Sequence, residues 1–191
     1  MISHDAPSHG SSDRGAHVGQ SHAVEMGRAL DAVAAVYGPA HAVVAHSMGG
    51  LATGLALRYG WLGTERLALV APMVRIGDHL PVLEHGLGFG PRTRKHLKRR
   101  AYRRVGLAVE DVDFVRLADD IERPELLVIQ EREDRWARYA SDLQLVEHWE
   151  GAQLTTTQGL GHQRILRDDA VARQVVAFVA AGQLDELEQT A

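Results

Sequence analysis

The chain contains no cysteine. That absence rules out a disulfide framework, a thiolate zinc site, an iron–sulfur cluster and a cysteine nucleophile, whatever compartment the protein occupies. Also missing is any run near the roughly 18 apolar residues that cross a bilayer, so no membrane partner is expected. The opening residues, Met1 to Pro7, carry neither the basic stretch nor the apolar core of a secretory signal, and a cytoplasmic address is the expectation. No internal repeat is visible. The chain does have 191 residues, 45% of them hydrophobic, with 21 Lys+Arg against 25 Asp+Glu and a formal charge of −4. That is enough apolar material for one core, and residues 1–191 are read as a single domain.

The periodicity predicts alternating strands and helices. Residues 3–22 form a His-, Ser- and Gly-rich loop holding His4, His9, His17 and His22. From Ala23 the residues Met26, Leu30, Val33 and Tyr37 recur at helical steps, and Gly38-Pro39 ends the run. The apolar stretch 41–46 leads through Ser47-Met48-Gly49-Gly50 into a second helical pattern at Leu51, Leu55 and Tyr59. Further strands are expected at 66–72, 125–130 and 153–157, with helices near 138–149 and 168–181. Apolar strands alternating with amphipathic helices imply an α/β fold, a mostly parallel sheet covered on both faces. The interval 73–122, helical but broken by Gly and Pro, reads as a cap insertion, and Asp185, Glu186 and Glu188 as a solvated acidic tail.

Ala45-His46-Ser47-Met48-Gly49 lies where a strand runs into a helix. A serine on so tight a turn is lifted clear of the sheet, and small residues two before and two after it let strand and helix approach closely. The Met48 N–H then lies at a helix N-terminus, where a developing oxyanion is stabilised. A serine hydroxyl needs an imidazole to take its proton, and the imidazole needs a carboxylate to hold its tautomer. Asp134 follows the third strand and His162 the fourth, so both lie beyond C-terminal strand ends, as Ser47 does. Taken alone, Ser47 could equally be a helix N-cap, and Glu133 is the rival to Asp134. His46 is read as a structural neighbour of the site, not its base.

These motifs resemble the α/β-hydrolase superfamily, among its esterase- and lipase-like serine hydrolases. The elbow Ala-His-Ser-Met-Gly-Gly and the order Ser, Asp, His both match. The segment 159–168 is similar to the family's histidine loop, and 5–11 to its Asp-x-Pro-x-His-Gly-x-Ser loop. The resemblance implies Ser47 as nucleophile, Asp134 as acid, His162 as base and Met48 N–H as one oxyanion donor, with a small-molecule acyl substrate and no cofactor. It also implies a chain that is N-terminally truncated relative to the family, with strand 41–46 at an open edge through which a second copy could pair and without the loop that supplies the second oxyanion donor. A reading of another class is a binding module that keeps the triad side chains but lacks a complete oxyanion hole.

Two further clusters are assigned bland roles. The four early histidines lack metal-ligand spacing, so no metal is expected. Residues 92–104 hold eight basic residues and no acid, so without them the formal charge falls from −4 to −12. The run is read first as the solvated face of a cap helix; with Tyr102 its only aromatic, no nucleic acid partner is expected.

Overall fold

The computed structural model describes residues 1–15 and 20–181. Among these, four parallel strands form one sheet in the order β1 (Ala40–Ser47), β2 (Thr64–Pro72), β3 (Glu125–Glu131), β4 (Gln153–Thr157). Each strand begins and ends within two residues of its expected bounds. The helices are α1 (Ala23–Tyr37), α2 (Met48–Arg58), α3 (His79–Leu87), α4 (Pro91–Val105), α5 (Phe114–Leu117), α6 (Tyr139–His148), α7 (Gly161–Arg164) and α8 (Asp169–Ala180).

Side-chain alternation sorts the sheet onto two cores. Leu67, Leu69, Leu126 and Val128 pack with Leu51 and Leu55 of α2, Phe114 of α5 and Leu145 of α6. On the other face Ala68, Val70, Leu127 and Ile129 pack with Ile165 and with Val171 and Phe178 of α8. Helices therefore cover both faces, as the apolar strands require. Buried Trp149 meets Phe114 edge to face at 6.0 Å, and its indole N–H donates to the Pro124 carbonyl at 3.1 Å.

Two expectations need refinement. Helix α1 forms where the period places it, but its buried residues are Ala23 and Gly27, while Tyr37 is exposed. A Cβ on Gly27 would stand 2.8 Å from the Ala52 carbonyl oxygen, so α1 and α2 approach through backbone and the bulkier side chains are turned aside. The interval 73–122 also divides. Helices α3 and α4 contain no buried residue, whereas Val112, Phe114, Leu117 and Ala118 belong to the main core. The part of the interval that lies outside the core is the α3–α4 pair. His17 and the acidic tail lie outside the described residues.

Candidate active site

Ser47 ends β1 with φ 53° and ψ −125°, a conformation costly for any residue with a Cβ, and the β1–β2 register shifts between His46 and Ser47. The bend frees the side chain. Ser47 makes no capping hydrogen bond to α2; its Oγ instead lies 3.0 Å from His162 Nε2. His162 Nδ1 lies 2.8 Å from Asp134 Oδ2. An ionised carboxylate can only accept, so Nδ1 carries the proton and Nε2 is left to accept from the serine hydroxyl. The Asp134 side chain is fully buried, and its Oδ1 accepts from the N–H groups of Trp136 (2.7 Å) and Ala137 (3.0 Å). Glu133, the rival acid, is exposed. The N–H of Met48 is the first of α2, where helix geometry leaves donors without an intrahelical acceptor.

Further residues surround these three. Glu131 sits in what reads as a surface run of charges, yet it is 1% exposed. Its carboxylate accepts from Gly159 N–H (2.9 Å), Leu160 N–H (2.9 Å), Gly161 N–H (3.4 Å) and the Thr157 hydroxyl (3.0 Å), so it holds the loop that carries His162. Burial pushes this carboxyl up, but the Leu160 and Gly159 N–H groups and Thr157 outweigh it and hold it below the ordinary value. The one available signal was its place directly after the apolar strand expected at 125–130.

His46 meets His162 ring to ring at 4.7 Å, and its Nε2–H donates to the His162 carbonyl at 2.9 Å. Burial lowers its pKa by more than that hydrogen bond raises it. At the start of α3, His79 is likewise lowered by burial, against the raising effect of Asp78. Behind Asp134, Asp142 is wholly buried and neither carboxyl oxygen has a hydrogen-bond partner. Burial, then the charges of Asp134 and Asp78, push it up to about 8.

The loop 5–13 closes on itself. Asp5 Oδ2 accepts from Ser11 N–H at 2.8 Å, and a Cβ on Gly10, at φ 49°, would fall 2.2 Å from that carboxylate. This loop and Met48 border a cleft of about 390 Å³ lined by Ser8, His9, Gln20, Ser21, Met26 and Met48, beside the elbow. Of the early histidines, His22 caps α1 by accepting from Glu25 N–H at 3.3 Å. Among the described residues no cluster of three metal-ligating side chains occurs, and no helix is long and apolar enough to cross a membrane.

A family model described as the alpha/beta hydrolase family matches residues 1–182. No curated protein matches. Among solved structures the chain is similar to Est816, described as an N-acyl homoserine lactone degrading enzyme (17% identity, TM-score 0.67, covering 91% of this chain and 80% of that one). It is also similar to a Paleococcus ferrophilus monoacylglycerol lipase (16%, TM-score 0.62, 91% and 80%) and to the meta-cleavage product hydrolase of Pseudomonas fluorescens (21%, TM-score 0.61, 91% and 77%). At these identities the likeness is one of fold.

Proposed function

Because this chain belongs to the alpha/beta hydrolase family, we propose that it is a serine hydrolase that cleaves an ester or related acyl bond through an acyl-enzyme. The observation that carries this reading is the unbroken chain of hydrogen bonds from Asp134 through His162 to a serine held in a strained turn. Ser47 Oγ attacks the acyl carbonyl as its proton passes to His162 Nε2. Asp134 fixes the tautomer and stabilises the resulting imidazolium. The Met48 N–H stabilises the tetrahedral oxyanion, and His162 then protonates the departing alkoxide. Water, deprotonated by the same imidazole, attacks the acyl-enzyme and releases the acid.

Glu131 and His46 would act through His162 by holding its loop, the first on the Gly159 and Leu160 N–H groups and the second on the His162 carbonyl. The substrate side is partly apolar: Met26 and Met48 line the cleft beside the elbow, and Met73 and Leu80 lie at the start of the cap. Two of the structural neighbours are named for acyl compounds, a monoacylglycerol and an N-acyl homoserine lactone, which fits an acyl substrate here.

The test is a fluorophosphonate probe with mass mapping, alongside hydrolysis of nitrophenyl esters. Labelling confined to the Ser47 peptide, and loss of at least about 10³-fold in rate in Ser47→Ala, are expected. Folded protein that takes no label and hydrolyses nothing would favour the binding module. Equal rates in parent and variant would end the assignment of Ser47.

A further inference from the structure

Helix α4 sorts its charges by direction. The side chains turned toward the body are Arg94, Lys98, Ala101 and Val105, and both cations among them are paired, Arg94 with Glu84 at 2.8 Å and Lys98 with Glu110. The opposite face holds Arg92, Lys95, His96, Arg99, Arg100 and Arg103, which form two adjacent rows, 92-95-99-103 and 92-96-100-103, each at steps of 3 and 4. All six are exposed, and none forms an ion pair with an acid among the described residues. Over the eleven helical steps from Arg92 to Arg103 this stripe runs about 17 Å. Like charges one helical turn apart destabilise a helix, so nothing in the fold itself accounts for this face.

The neighbouring helix is exposed and apolar. Val82, Leu83 and Leu87 of α3 are 60%, 46% and 72% exposed, and α3 has no buried residue. Trp136, 66% exposed, follows Asp134 at the end of the sheet from which the cap also rises. Guanidinium groups pair with phosphates, while exposed aliphatic and indole groups gain by leaving water. We propose that the α3–α4 cap docks this protein on an anionic phospholipid surface, with the α4 stripe on the phosphates and the α3 side chains at the edge of the hydrocarbon.

The same observations weigh against a nucleic acid. Tyr102 is the one aromatic on α4, exposed aliphatic side chains find no partner on a duplex, and the remaining −12 would repel a long polyanion. A planar bilayer meets only the cap. A merely solvated face does not explain why the cations turned toward the body are paired while those turned away are not. Delivery of an acyl substrate from that surface rests on the hydrolase reading, whereas docking does not.

The test is sedimentation with vesicles of phosphatidylglycerol and phosphatidylcholine against phosphatidylcholine alone, at rising salt. Binding at least about tenfold stronger to the anionic vesicles, lost at high salt and in Arg99→Glu/Arg100→Glu/Arg103→Glu, is expected. Since these three side chains are exposed on a helix with no buried residue, the variant should melt with the parent and hydrolyse a soluble ester at the parent's rate. Vesicle binding without any esterase activity would sink the hydrolase reading and leave the docking intact. Equal binding to neutral vesicles, an unaffected charge-reversal variant, or stronger capture by a DNA duplex or polyglutamate would overturn the docking.

Discussion

Ser47 Oγ and His162 Nε2, 115 residues apart in sequence, lie 3.0 Å from each other. Their meeting depends on a serine in positive φ, a conformation that only glycine adopts without cost. Removing the hydroxyl while keeping the Cβ leaves that strain in place. Ser47→Gly should therefore melt at a higher temperature than Ser47→Ala although both lose ester hydrolysis. Calorimetry of the two variants decides it, and the reverse order would mean that the turn is not strained.

Glu131 anchors the histidine loop through three backbone N–H groups. Glu131→Gln keeps the size but puts an NH₂ where an acceptor is needed. A loss of about 2–3 kcal/mol of stability is expected, with faster hydrogen exchange at Gly159 to Gly161. A base displaced by an ångström can cost about 10²-fold, so kcat should fall with KM little changed. Because the folded carboxyl is held below its ordinary value, its contribution to stability is present above that value and is lost as pH falls through the lowered one.

Asp142 has the opposite sign. Its carboxyl, raised from 3.8 to about 8, stays protonated in the fold, whereas the unfolded chain releases the proton near its ordinary value. Its contribution is complete below 3.8 and is lost progressively as pH climbs toward about 8. Asp142→Asn should flatten that decline, read as denaturation midpoints at a series of pH values from about 5 to 8. Parallel curves for parent and variant would show that Asp142 is ionised in the fold. His46 and His79, lowered by burial, oppose the trend, since acidification below their ordinary 6.5 favours the unfolded state.

Gly54 on α2 faces the Phe114 ring, and an added Cβ would lie 2.8 Å from two ring carbons. Gly54→Ala should destabilise by about 1–3 kcal/mol despite alanine's helix propensity. Gly54→Ala/Phe114→Leu should recover part of that relative to the sum of the single changes. Strict additivity in a double-mutant cycle would show that the two sites do not touch.

Strand β1 pairs with β2 alone among the described residues, and Val44 on it is 54% exposed. An apolar parallel edge invites pairing with a second copy. Concentration-dependent self-association in light scattering, suppressed by Val44→Lys, is expected. A parent that stays monomeric at high concentration would remove that role from the edge.

The amino-acid sequence by itself determined the strands, the helices and the elbow, because each is written in neighbouring residues: short apolar runs, apolar residues three and four apart, and small residues around Ser47. It also nominated Asp134 and His162 by their place after strand ends. Only the tertiary structure set Asp134 beside His162 and left Glu133 exposed, made Glu131 the anchor of a loop 28 to 30 residues away, and brought the His46 ring against that of His162. It also buried Asp142 without a hydrogen-bond partner for either carboxyl oxygen. These relations depend on which strand lies beside which and how far a loop folds back, and local periodicity carries neither.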